Sequence, residues 1–571
     1  MRSPTHTLEV AWRPTDNTAQ TSSSTITTAP DTFADELRAL GYADNAKGTS
    51  GLIDSLKEQA TPLSSNCSLS AAARSQYAGI IRQLPSPRHT DILVHSFFEN
   101  VAWHYDIVDE ATFRKQLFQW SSLSFVQMTQ ASKSLPVDLQ SFPSLLFQVL
   151  AQSLLFQPIQ YNESLNDLKY AADMELSDRA ADYSKAGHQL TSLLAKSKLT
   201  TLTVQAALMQ VCFEKTTGAV LNAWHTLGSA IREARELGLH LLEAEALPRS
   251  GVEKLSESEV GRHLWFNLHL WDAHMAVVLG RPMWTRLDFG SVPLPLSQGC
   301  DFEKANQPQA RDVILCGYHT AYRFLQIIQD LENREDYPSC VESIHNAILT
   351  NLANLPAWAS TQRQREGEPP WLSAALETML TNVYFVLFAL HRPFVFTDSS
   401  SRGRAFHSAM EILQSQARLF DQTEPLQYMA FSLVYTAFDA MVLIAALHIR
   451  FTDEFTDHLP TTNRILQWGL NRLDVLQTKN KIAGTAFKVI HRLYQRLLAA
   501  YSTTAPPQFE LHSEISTMVG SEPEMPQDFW DGIQQSGFED VLFPHPLTEL
   551  LSNQSHEVLP EGVVNNFGDL S

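Results

Sequence analysis

From about Thr90 to Tyr501 apolar residues recur at three- and four-residue spacing, with almost no strand-like alternation. That pattern predicts an all-α body. Its clearest element is "AVLNAWHTLGSAIREARELGLH". Val220, Trp224, Leu227, Ile231, Ala234 and Gly238 follow one another at helical spacing and form one stripe. Arg232, Glu233, Arg235 and Glu236 fill the rest of the last turns, and Gly238 suits the left-handed residue just past a helix end. A second helix is predicted from Ser256, which makes a capping-box pattern with Glu259, through to Leu279. Apolar residues surround it almost completely, so it should be buried on most sides. Its run stops at Gly280, Arg281 and Pro282: the glycine permits a left-handed stop and the proline blocks continuation. Val292 to Pro295 should then lie as an extended strap along neighbouring helices.

The ends of the chain differ from this body. Residues 1–85 alternate Ser/Thr-rich tracts with one weak helical patch, "DTFADELRALGY", and offer little apolar surface against the entropy of ordering. They are expected to be a mostly disordered polar segment, followed by a helical domain over 86–502. Residues 503–571 are Pro-rich and acidic, with twelve Asp/Glu and no Lys/Arg. Short apolar islands punctuate this tail, among them Phe529, Trp530, Phe538, Leu542 and Phe543. Acidic residues keep such groups solvated and available, a composition found in activation segments.

Charge changes the picture in one respect. The chain carries a formal net charge of −20, much of it in the tail, which argues against the whole chain being a binder of phosphate backbone. "YMAFSLVYTAFDAMVLIAAL", Tyr428 to Leu447, is about long enough to span a bilayer and is read as the only such stretch. Asp439 in its middle favours a buried core helix instead. No membrane association is expected. An apolar leader of the secretory kind is absent from the polar N-terminal stretch.

Candidate chemistry is sparse. Cys67, Cys212, Cys300, Cys316 and Cys340 are far apart and odd in number, so free thiols in a reducing compartment are expected. No Cys-x-x-Cys pair provides a zinc site. There is no phosphate loop, dinucleotide fingerprint, nucleophile elbow or His-Glu-x-x-His, and no adjacent pair of aspartates. No catalytic residue, cofactor or metal is therefore assigned, and the chain is not expected to be an enzyme. His263 and His274 share a helix face but lie about 16 Å apart, too far for one ion, and His269 points elsewhere. Asp272 lies inside an apolar helix, where a carboxylate needs a partner, and Arg232 and Arg281 are the candidates.

Four segments, in order, resemble the fungal-specific transcription factor domain, the middle homology region of Zn₂Cys₆-type regulators. They are "FFENVAWHYDIVDEATFRKQL" (97–117), "AWHTLGSAIREARELGLH" (223–240), "GRHLWFNLHLWDAHMAVVLGRPMWTRLDFGSVPLP" (261–295) and "YFVLFALHRPF" (384–394). The motif positions are matched by Trp224, Gly228, Arg232, Asp272, Gly280, Arg281, Pro282, His391, Arg392 and Pro393. The family often has Arg just after that Asp, where this chain has Ala273, so the local ion pairing should differ. The resemblance implies an all-α regulatory domain in a nuclear protein that regulates RNA polymerase II promoters, with metabolic or biosynthetic genes as targets. It also implies zinc, but the cluster's cysteines are missing here and no basic stripe replaces them. Promoter DNA is thus expected as a partner only through a missing DNA-binding module or another protein. The acidic tail would contact the transcription machinery, and a dimer partner is a further candidate. The competing reading is a co-regulator or effector-sensing module that acts through a partner factor without binding DNA.

Overall fold

The computed structural model describes residues 70–130, 135–158, 160–194, 199–242, 257–285, 294–295, 308–330, 337–359 and 368–504. Among them there is no strand, and the all-α expectation holds. The first group of helices is α1 (Ala71–Ile81), α2 (Pro87–Asn100), α3 (Glu110–Ser121), α4 (Phe125–Gln130) and α5 (Val137–Leu155). Next come α6 (Leu176–Leu193), α7 (Thr201–Thr216), α8 (Val220–Glu236) and α9 (Glu257–Leu279). The later group is α10 (Ala310–Asp330), α11 (Tyr337–Ala353), α12 (Leu372–His391) and α13 (Ser399–Asp421). It ends with α14 (Tyr435–Arg450), α15 (Thr452–Phe455), α16 (Leu459–Leu476) and α17 (Lys481–Thr504).

Helix α5 organises the first group, packing against α2, α6 and α7. It is buried along nearly its whole length, including three glutamines that a core helix would ordinarily exclude. Their amide N–H groups find backbone acceptors: Gln148 Nε2 donates to the Ser184 carbonyl at 2.9 Å and Gln152 Nε2 to that of Met209 at 3.4 Å. At Gly187 on α6 a Cβ would sit 2.9 Å from the Ser144 carbonyl oxygen, so only glycine allows α5 and α6 to approach this closely. In the later group, α12 packs against α10, α11 and α13, and α14 against α13, α16 and α17. One main apolar core runs through both groups, with two smaller clusters beside α12.

The helical body begins at Ala71, upstream of the boundary expected at 86. Ser70 caps α1 by accepting the Ala73 N–H, and Tyr77, Ile80 and Ile81 are buried in the main core. Three apolar side chains at this spacing anchor a helix that its Ser- and Ala-rich surroundings obscure. The remaining reading of residues 1–69 lies outside the described residues, as does that of 505–571 with Phe529, Trp530, Phe538, Leu542 and Phe543.

A second correction concerns apolar length. Among the described residues two helical stretches, Leu372–Phe394 and Phe431–Arg450, are long and apolar enough to cross a membrane, where one was expected. Both pack in the protein core, with 56% and 78% of their windows buried. Asp439, which broke the second stretch in sequence, is ion-paired to Arg392 at 2.9 Å.

Candidate functional site

Helix α9 ends as its sequence predicts. Gly280 adopts φ +59°, and the Arg281 N–H reaches back to the Ala276 carbonyl at 3.1 Å, closing a Schellman-type turn. The chain then doubles back along α9. Trp284 N–H and Thr285 N–H donate to Asp272 Oδ2 at 2.7 and 2.6 Å, and the Thr285 hydroxyl adds a third bond at 2.8 Å. His269 Nδ1 lies 3.0 Å from that hydroxyl.

Asp272 is therefore not held by Arg232 or Arg281. Arg281 lies over the Trp224 ring, 4.3 Å from its centroid, and Arg232 is exposed on α8. Backbone donors from the reversed chain take the arginine's place. Burial pushes the Asp272 carboxyl upward, while the Thr285 and Trp284 bonds and the charge of Arg235 oppose the rise. Arg235 also donates to the Trp284 carbonyl at 2.7 Å. The Trp284 ring stands 6.0 Å from that of Trp224, and Gly228 leaves ordinary contact room for Arg232 and Trp284. Thus α8 clamps the turn that follows α9. Of the strap expected at 292–295, only Leu294 and Pro295 are described, and Leu294 packs against the main core.

At the other motif, the helix end at His391 continues into a 3₁₀ turn, Arg392–Phe394, with Pro393 in its first turn. The Arg392–Asp439 pair ties it to α14. His391 Nε2 lies 2.9 Å from His345 Nδ1 of α11, and burial lowers the His391 pKa to about 4.

Three of the four motif segments meet around a cavity of about 310 Å³. Trp103, His104 and Tyr105 come from the first, Asn267, Trp271, Ala273 and His274 from α9, and Phe385 and Val386 from α12. Ala310, Ile314 and Tyr318 of α10 and the segment Ala430–Ser432 close other sides. Ala273 thus stands on the cavity wall. Among the described residues the one ammonium in the wall is Lys215, from the last turn of α7, with only 7% of its surface exposed. Its Nζ lies 2.6 Å from His274 Nε2, 4.7 Å from the Trp271 ring centroid and 4.5 Å from that of Phe431. Burial lowers the Lys215 pKa to about 7, with the Cys212 thiol opposing, and holds His274 well below its ordinary value.

Residues 94–375 match the model of the fungal specific transcription factor domain. This region is a fungal specific transcription factor domain. The chain is 27% identical over 197 residues to a protein of Alternaria solani named "Probable transcription factor sol4", covering 33% of this chain and 32% of that protein. It is 25% identical over 389 residues to the acetamidase regulatory protein of Emericella nidulans, covering 65% of this chain and 42% of that protein. The chain thus spans less than half the length of either relative. The matched transcription factor domain runs from α2 into α12, so the cavity lies between it and the helices that follow.

Of the described cysteines, Cys212 is buried and Cys316 and Cys340 are half-buried, with Cys212 and Cys316 as free thiols. Burial raises the Cys212 thiol and takes Cys316 to about 11. Among the described residues no three His, Cys, Asp or Glu side chains converge on a point that could hold a metal. The three α9 histidines have separate partners: His263 faces Asp106 at 2.8 Å, His269 faces Thr285 and His274 faces Lys215. Asp106 itself adopts φ +47°. Burial alone would raise its carboxyl, but His263 and Arg311 outweigh that and hold it low.

Lys215, Trp271 and Phe431 were not singled out by sequence. Lys215 had one visible signal, a lone lysine in the apolar run "VQAALMQVCFEK". Nothing in sequence marks its convergence with Phe431.

Proposed function

We propose that this chain is a nuclear regulator of RNA polymerase II transcription whose helical domain senses a small molecule, rather than an enzyme. The observation that carries the sensing part is the cavity. It is of ligand size, it is mainly apolar with a few convergent polar groups, and it lies where the family domain meets the later helices. Occupancy there bears on α7, α9, α10, α12 and the 430–432 segment together, so a ligand can bias how the two helical groups pack. The regulatory part is supported by the family domain and by relatives named as transcription regulators.

In this reading the acidic segment 503–571 contacts the transcription machinery, and promoter DNA is reached through another module or a partner factor. Metabolic or biosynthetic genes are the proposed targets; the name of the Emericella nidulans relative, a regulator of acetamidase, is in keeping with this. A reporter assay tests the proposal. The full chain tethered to a heterologous DNA-binding domain should activate transcription, and deletion of 503–571 should abolish activation at equal protein level. Activation that survives the deletion removes the tail from the account, and no activation by the full chain contradicts the activator reading.

A further inference from the structure

The cavity has an uneven electrostatic wall. Among the described residues its lining includes one lysine, two histidines and several hydroxyl and amide groups, but no Asp, Glu or Arg. As an ammonium Lys215 Nζ carries three hydrogens, and His274 Nε2 accepts one of them when that ring nitrogen is the unprotonated one. The other contacts of the ammonium are the faces of Trp271 and Phe431. The neighbouring acid in sequence, Glu214, is engaged elsewhere, accepting from Gln210 Nε2 at 2.7 Å and from Thr226 Oγ1 at 2.8 Å. A buried ammonium without an anion is costly, and such a group persists either because it is neutral or because something brings the anion.

We propose that the cavity binds a small monocarboxylate, its carboxylate on Lys215 beside His274 and its apolar body against Trp271, Phe431 and Met379. This rests on the reading of the cavity as an effector site and names the ligand's class. The two aromatic faces and the neutral imidazole hold the ammonium at the wall without satisfying it, which leaves donors for an incoming anion. The rest of the wall, including Trp103, Ile314 and Phe385, favours a hydrocarbon or aromatic body over a polyanion.

Proton linkage supports the same assignment. His274 contacts Lys215 and the Cys212 thiol acts on its charge, burial lowering the first and raising the second; on the same cavity wall burial lowers His104 and raises the Tyr105 hydroxyl. Lys215, at about 7, is the one whose charge changes near neutral pH. An anion should select the ammonium form. Binding should therefore weaken as pH rises from 6.5 to 8.5, approaching tenfold per pH unit at the alkaline end.

The test uses the purified full chain with phenylacetate and octanoate, and with phenylacetamide and octanamide as neutral counterparts, titrated by calorimetry. The acids should bind at least about tenfold more tightly than the amides. Lys215→Met, close in length and without the charge, should abolish that preference while keeping amide binding, and the empty variant should melt no lower than wild type. Equal binding of acids and amides would leave the cavity a ligand site and overturn the carboxylate assignment. Absence of binding by all four up to about 10 mM overturns both the assignment and the effector-site reading. Melting of Lys215→Met well below wild type makes Lys215 a structural residue and also overturns the assignment.

Discussion

Asp272 and Thr285 are thirteen residues apart in sequence and joined by two hydrogen bonds, one from the Thr285 backbone and one from its hydroxyl. The Gly280 turn between them reverses the chain so that the segment after α9 satisfies a carboxylate inside α9. The family's most recognisable turn thus fixes the exit of the helix that also supplies Trp271 and His274 to the cavity.

Removing the carboxylate should expose the strength of this closure. Asp272→Ala leaves the buried Thr285 N–H and hydroxyl without their acceptor, and should cost about 2–4 kcal/mol in urea unfolding. Asp272→Asn keeps one carbonyl oxygen and should cost about 1 kcal/mol. If the alanine variant lost less than about 1 kcal/mol, the closure would not matter to the fold.

The Arg392–Asp439 pair joins the His-Arg-Pro turn to α14 with both side chains largely buried. Arg392→Met leaves a buried carboxylate unpaired and should destabilise by about 3–5 kcal/mol. The double change Arg392→Met with Asp439→Leu should recover most of that loss, because it removes the unpaired charge as well. A double variant as unstable as the single one would show that the pair acts through packing rather than charge.

Acid should unfold this domain through its buried imidazoles. Burial is the main cause that lowers His104, His269, His391 and His448 to about 4 from an ordinary 6.5. The folded state therefore binds fewer protons than the unfolded state between those values. Their contribution is fully present above pH 6.5 and is lost as pH falls toward 4. Melting temperature measured across that window should drop, and His391→Gln should shrink the drop. A profile flat from pH 6.5 to 4 contradicts the burial of these rings.

Periodicity made α8 and α9 legible, and residue chemistry made their glycine stops legible, since a left-handed stop is a local property. Asp272 was legible as a buried acid needing a partner, but its partner was not. Arginines are the obvious counter-charges in a sequence, whereas backbone N–H groups become donors only after a turn has aimed them. The helix at Ala71 was hidden by its Ser- and Ala-rich surroundings, because its anchor is tertiary: the Tyr77 hydroxyl bonds to the Gln140 carbonyl at 3.3 Å. The cavity depends on residues from Trp103 to Thr436, and periodicity within single helices carries no information about such convergence.

The central claim is that occupancy of the cavity controls transcription. Ala273→Phe places a ring in the cavity from its α9 wall, and a melting curve establishes that the variant is folded. In a tethered reporter assay across media that differ in carbon and nitrogen source, wild-type output should vary by about fivefold or more. The plugged variant should give one fixed level in every medium. A folded Ala273→Phe chain whose output follows wild type through the same range would contradict the account.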